Sequence, residues 1–364
     1  MSSFVFPALM AATVLCVTVC LLIAPRLAPD GIVLGARVPR SRADSPAVTG
    51  ALRTYRVVVA ATGLLLVAAV ALFSHIVWVV VLAPLVLTLA AGVTFALQHN
   101  RIAAAKREEN WFDDVETAIT GRVAGTGDEQ RAFPWATFAA ALAVPVIGGL
   151  YTLARWEDIP EVFPVHFGPD LQPDAWGDNT AGTVLFGMWF ALGLVAVMAV
   201  VARLTVSQRT HVRSDRSAAG RRSQSTVLHE SVHALAWVSL VVALGLTIMQ
   251  IAAVIPEYQP HMPTLIVAFF VAVLGAIGVM IARISWVRTR ARGEQDTEGA
   301  PESPDNDRHY TWGMFYHNPD DPAVLVDKRA GVGVGFNYAT WQAKAFVAAI
   351  ALIVIGAVAL PFML

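Results

Sequence analysis

Charge is what this sequence has least of. Asp, Glu, Lys and Arg make up 15% of its 364 residues and hydrophobic residues 56%, where an ordinary soluble domain is about 25% charged. A water-soluble core cannot take up that much apolar surface; with a mean hydropathy of +0.59, the excess belongs in lipid. Lysine is almost missing, with only Lys106, Lys328 and Lys344, and the Ala-, Val- and Arg-rich usage resembles a GC-rich bacterial coding bias. The net charge is −1, so no nucleic-acid partner is expected from bulk electrostatics. The two cysteines, Cys16 and Cys20, lie one helical turn apart in an apolar run. That count excludes a disulfide framework and, without further ligands, speaks against a metal site. The first apolar run, Phe4 to Ala24, has no basic segment before it and exceeds the ~7–15 residues of a signal-peptide core, so it is expected to remain a membrane helix.

What is present is a series of apolar runs of spanning length. They are Phe4 to Ala24, Tyr55 to Phe73, His75 to Leu97, Pro134 to Leu153, Ala181 to Ala202, roughly His233 to Ile255, Pro263 to Ile284, and Phe346 to Leu364. The expected fold class is an all-α polytopic membrane protein of about eight transmembrane helices, with a small cytoplasmic β-element before the last. The expected organisation is a three-span region at 1–133 with Arg-rich connectors and a span pair at 134–203 enclosing a polar loop at 154–180. A connector and span pair at 204–287, a linker and β-element at 288–345 and a last span at 346–364 follow. Trp111, Phe112, Val115 and Ile119, in the polar stretch Gln98 to Phe133, fit either an interfacial helix or a solvated extension of the preceding span.

Sidedness follows from the basic residues. The connectors after spans one, three, five and seven hold every Lys and Arg except Arg155, whereas those after two, four and six carry Glu157, Asp158, Glu161, Asp170, Asp174, Asp178 and Glu257. The Arg-rich connectors are therefore expected inside, and the 154–180 loop and both termini outside. Trp135, Trp156, Trp237, Trp286 and Trp341, at span ends, suit interfacial anchoring.

No charged residue falls mid-span, where one costs about 2.5–3.5 kcal/mol on insertion scales. This weighs against a proton relay or ion-coupled transporter and leaves transport of an uncharged substrate as an alternative. The sharpest catalytic pattern is His229-Glu230-Ser231-Val232-His233, two His one turn apart that would bind zinc beside a general base. A membrane zinc metallopeptidase is thus a second alternative. A third ligand would have to come from His211, His309, His317 or the Asp320-Asp321 pair. The other reading makes His229 and Glu230 the wet first turn of a membrane helix. With that reading preferred, no catalytic residue, metal or cofactor is expected.

Two further stretches stand out. The loop from Trp156 to Asp178, with His166, Asp170, Asp174 and Asp178, reads as a turn-rich segment held on the membrane by Trp156, Phe167 and Trp176, since Pro169 and Pro173 break any helix there. The segment from Tyr310 to Arg329 reads as two short strands around a turn at Asn318 to Pro322. Gly331 to Gly335 is a third strand or a glycine loop without dinucleotide-binding spacing, and Arg292 to Asp307 reads as a flexible linker.

Asp158-Ile159-Pro160, Pro164-Val165-His166-Phe167-Gly168 and Pro173-Asp174-Ala175-Trp176-Gly177 together resemble the loop of a bacterial membrane domain of unknown function, 1648-type, that occurs in SdpI-like immunity proteins. Where that pattern has a turn glycine, this chain has Leu171 or Gln172. Trp312 to Tyr338 resembles a second domain of unknown function, 5808-type, and Gly35-Ala36-Arg37-Val38-Pro39 also fits such proteins. The resemblance implies a non-catalytic protein of the bacterial plasma membrane with an immunity or signalling role against a secreted peptide. It carries an outer ligand loop through Pro160, His166, Phe167, Gly168, Asp174, Trp176 and Gly177. It also carries a motif for a cytoplasmic regulatory protein through Trp312, Phe315, Tyr316, Asn318, Pro319, Asp320, Asp321, Pro322, Arg329 and Asn337. The expected partners are the lipid bilayer, an extracytoplasmic peptide and that regulatory protein.

Overall fold

The computed structural model describes residues 5–29, 31–113, 115, 132–168, 170–207, 218–293, 304–331, 333–348 and 351. Among them seven helices are long and apolar enough to cross a membrane: α1 (Val5–Ile23), α2 (Pro46–Phe73), α3 (Val77–Glu108), α4 (Trp135–Ala154), α5 (Phe186–Ser207), α6 (Ala218–Val254) and α7 (Met262–Gly293). A further helix, α8, starts at 341 and is described to 348; most of the expected eighth span lies outside the described residues. Leu64, Leu65, Leu72, Trp78 and Leu89 stand fully on the outside of the bundle, an apolar belt that water would not tolerate at this size.

Several helices outrun the spans read from hydropathy. α2 begins at Pro46, not Tyr55, because Ser45 caps it by accepting the Val48 N–H at 3.4 Å and a proline at the first helical position needs no N–H partner. α3 runs on to Glu108, so 98–108 is the solvated extension and not a separate interfacial helix. Trp111 then turns into the core beside Tyr55 and Ile102; Ile119 lies outside the described residues. His229 sits at about the fourth turn of its helix, not in the first, because α6 starts at Ala218.

The helices form two groups. In the first, α2 packs on α1 and α3; in the second, α6 packs on α4, α5 and α7. The groups meet where α1 touches α7. Of α6's apolar window 39% is buried and of α7's only 6%, so α6 is the centre of its group and α7 its lipid-facing edge.

Among the described residues four two-stranded antiparallel sheets lie outside the helices, where only a β-element near the C-terminus was expected. β1 (Ile32–Val33) and β2 (Ala36–Arg37) form a small turn after α1. β3 (Val162–Phe167) pairs with β4 (Pro173–Asp178) between α4 and α5. β5 (Tyr310–Thr311) pairs with β6 (Phe315–Tyr316), and β7 (Leu325–Asp327) with β8 (Val334–Phe336). The expected pairing across Asn318 to Pro322 is therefore replaced by two hairpins on either side of it. Trp312 and Gly313, both at positive φ (53° and 70°), make the first turn, and at the second the Lys328 N–H donates to the Gly333 carbonyl at 3.2 Å.

Candidate functional site

Contacts between the elements collect the polar segments at two ends of the bundle. One end carries β1–β2, the end of α3, and the module from 304 to 340. The other carries the β3–β4 hairpin and the 255–261 turn.

At the first end the organising residue is Asp307. Its carboxylate accepts the backbone N–H of Arg37 through both oxygens, at 3.0 and 3.1 Å. It also pairs with Lys106 of α3 and with Arg329 of the module. Asp305 adds a second carboxylate 2.9 Å from Lys106. Arg329 donates further to Asn306 Oδ1 and, at 2.7 Å, to the Gly35 carbonyl, and its guanidinium lies 3.9 Å from the centre of the Tyr310 ring. Lys106 and Arg329 are buried, so each needs the paired anion. Burial pushes the Asp307 carboxyl up, but the Arg329 and Lys106 charges outweigh it and hold the group below its ordinary value.

Steric fit closes the same junction. Gly35 (φ +77°) lies so near the module that a Cβ there would stand 2.2 Å from the Gly313 carbonyl oxygen. His99 of α3 completes the contact, with Nδ1 3.1 Å from the Leu34 carbonyl. Asp307 thus ends the stretch read as a flexible linker as a buried tie, and 294–303 lies outside the described residues. Of the residues expected to meet a partner, Arg329 belongs to this tie. Asn337 is fully buried and holds the 318–322 turn, accepting the Asn318 N–H and donating to the carbonyls of Asn318 and Asp321. Tyr316 donates its hydroxyl to Asp321. Trp312, Phe315, Pro319, Asp320 and Pro322 remain exposed, the first two stacked edge to face.

At the other end the expected turn-rich loop is a hairpin, because Val162, Phe163, Pro164 and Val165 form an extended apolar run that pairs with 173–178. Ile159 and Phe163 bury themselves against Val254 and Ile255 of the α6 end. Of Leu171 and Gln172, one of which was expected to take the place of a turn glycine, Leu171 adopts a left-handed φ of +61°. Its side chain packs with Phe167 against Val5 of α1, Ala252 and Met262. Trp176, expected to rest on the membrane surface, is 60% exposed, while Trp156 and Phe167 pack against the apolar clusters at this end. His166 Nδ1 lies 2.5 Å from Asp174 Oδ1, both exposed, so the aspartates share no helical face. Pro160 and Gly177 are half-buried at the hairpin base, and Gly168 is buried at its turn, where its N–H donates to the Gln172 carbonyl at 2.8 Å. Arg155 pairs with Asp158 and, at 3.5 Å, with Glu257, while Tyr151 and Tyr258 share a hydroxyl contact at 3.0 Å, which raises the Tyr258 phenol above its ordinary value.

The His-Glu-x-x-His residues have other partners. Arg283 Nε donates to Glu230 Oε2 at 2.7 Å, and His233 Nε2 lies 3.3 Å from the Ala132 carbonyl. His309, His317, Asp320 and Asp321 stay in the module, and His211 lies outside the described residues. Among the described residues no cluster of three or more His, Cys, Asp or Glu could hold a metal ion.

A family model, described as a family of unknown function (DUF5808), matches residues 319–344. These are the second half of the module and the start of α8, and they contain Arg329 and Asn337. None of the curated proteins and none of the solved structures compared matches the chain.

Proposed function

We propose that this chain is a non-catalytic receptor-like protein of the bacterial plasma membrane. The β3–β4 hairpin faces outward and meets an envelope ligand of peptide type, and the module faces the cytoplasm and presents Trp312 and Phe315 to a regulatory protein. The observation that carries this reading is the placement of two ordered motifs at opposite ends of one bundle, each packed onto helices and each leaving an aromatic exposed. The excess of basic residues on the module's side supports the orientation. The Glu230–Arg283 pair supports the absence of catalysis, because a glutamate held by a guanidinium is a poor general base. Immunity to a secreted peptide, with signalling of its presence, is the specific role that the hairpin's resemblance favours.

The test is survival of bacterial cells expressing the chain when challenged with membrane-active peptides. Trp176→Ala and Phe315→Ala should each remove protection while leaving membrane insertion intact. Loss of function on Glu230→Gln, with normal insertion, would replace this reading by the peptidase.

A further inference from the structure

Between α6 and α7, at the module's end of the bundle, runs a groove of about 690 Å³. His229, Glu230, His233 and Arg283 form one end of it, and Trp237 and Val279 belong to the other. Trp237, Val279 and Arg283 are all mostly exposed, so the groove opens outward on the lipid side.

Its chemistry is graded with depth. Arg283 comes 21 residues after Met262, about 31 Å along the helix, which matches a hydrocarbon core of about 30 Å. Glu230 comes 24 residues before Val254, about 36 Å away by the same rise. Trp237 and Val279 each lie 17 residues from those reference ends, about 26 Å, inside the hydrocarbon. The polar end therefore sits at headgroup level and the apolar end at acyl-chain depth.

The polar end presents one cation and one anion side by side. Their mutual bond uses Arg283 Nε and Glu230 Oε2, and among the described residues the guanidinium's two Nη groups and Glu230 Oε1 carry no other partner. We propose that this groove binds a zwitterionic phospholipid bearing a primary ammonium. Its phosphate accepts from the Arg283 Nη groups, its ammonium donates to Glu230 Oε1, and one acyl chain lies along Trp237 and Val279. An anionic lipid would set uncompensated charge against Glu230, and a choline headgroup has no N–H to donate. A divalent cation would have to displace the guanidinium from Glu230.

The protein in nanodiscs of equal phosphatidylethanolamine, phosphatidylglycerol and phosphatidylcholine is released into a mass spectrometer, and the retained lipid is counted. The one charge-assisted hydrogen bond that choline cannot make, ammonium to Glu230, predicts phosphatidylethanolamine enriched about tenfold or more over phosphatidylcholine. Glu230→Gln should return the ratio to that of the bilayer, and Arg283→Gln, which removes the phosphate donors both zwitterionic lipids use, should lower the retention of both. Val279→Trp, which fills the apolar end without touching a charge, should lower retention even if the polar variants fold poorly. Arg290→Gln, at an exposed interfacial arginine stacked on Trp286, should change nothing. Equal retention of the three lipids, preference for phosphatidylglycerol, or an Arg290→Gln effect as large as that of Arg283→Gln would overturn the assignment.

Discussion

Replacing Asp307 by Asn keeps the size of the side chain and removes the charge on which two buried cations depend. Side-chain exposure is 11% for Asp307, 8% for Lys106 and 4% for Arg329, so water cannot take over its role. Breaking one buried pair by removing one partner costs about 3–5 kcal/mol. Two pairs are cut here, but Lys106 keeps Asp305 and Arg329 keeps the Gly35 and Asn306 oxygens, so the cost of about one pair is the reasoned value. At a factor of ten per 1.4 kcal/mol, 3–5 kcal/mol corresponds to a roughly 100- to 3,000-fold rise in opening of the module. Hydrogen exchange in reconstituted bilayers reads this at the amides that close the module, Asn337 N–H on the Val324 carbonyl and Tyr338 N–H on the Tyr316 carbonyl. Amides in the middle of α6 should keep their protection. Adding Lys106→Met should restore part of the loss, since it removes a buried cation that is left with the half-buried Asp305 alone. Protection of Asn337 and Tyr338 within a few-fold of wild type in Asp307→Asn would refute the claim that this carboxylate holds the module on α3.

Other perturbations test the same reasoning. Gly35→Ala forces a Cβ to 2.2 Å from the Gly313 carbonyl oxygen at a φ of +77°; with left-handed strain of about 1–2 kcal/mol before any clash, the same amides should lose protection, and a neutral outcome would mean that the junction is looser than drawn. Because the Asp307 carboxyl is held below its ordinary value, its stabilising contribution is fully present above the unfolded carboxylate value of about 3.9 and disappears as pH falls through the lower folded value. A pH series of the protection factors should therefore be flat from neutrality down to that region and fall only below it, and Asp307→Asn should abolish the fall. Leu171→Gly relieves strain of about 1–2 kcal/mol but gives up a buried leucine worth about 2–5 kcal/mol, so the hairpin should loosen, as read by exchange at 162–178; tightening would show that strain outweighs packing.

What could be read from the residue string divides along physical lines. Spanning helices announce themselves because lipid demands about 20 apolar residues in a row, and the antiparallel order follows from short connections such as Ser74. Helix ends on the basic side were misplaced because a helix leaving the membrane becomes polar without ceasing to be helical, as α3 does through Arg101 and Lys106. The strands of the hairpin were hidden by Pro164, Pro169 and Pro173, which read as breakers although a two-stranded ribbon has edge positions that tolerate proline. Arg329 and Asn337 were singled out only by resemblance. Asp307, Lys106 and His99 were missed, since an ion pair between residues 201 positions apart in sequence leaves no local pattern. The rarity of lysine was the one available signal: Lys106 is the sole lysine before the module.

The two ends of the bundle are joined by a continuous set of contacts, and α1 is its middle. Val5, at the start of α1, packs in the cluster that holds Leu171 of the hairpin. Further along, the Leu21 carbonyl accepts the Tyr55 hydroxyl at 3.1 Å, and beyond the helix the Leu27 carbonyl accepts from Arg288 at 2.8 Å. The chain then enters β1–β2, whose Gly35 and Arg37 meet the module. Nineteen helical residues separate the two junctions, about 29 Å of rigid rod, so a displacement at Val5 has no soft element to absorb it before Ala28. Contact alone is not coupling; coupling requires that a change at one junction shift an equilibrium at the other. Leu171→Gly supplies the change and Tyr338 supplies the readout. If α1 transmits, loosening the hairpin alters the exchange of Tyr338, and Asp307→Asn abolishes that response because the module no longer rides on the rod. An effect confined to 162–178 would leave the hairpin and the module as two separate attachments to one scaffold.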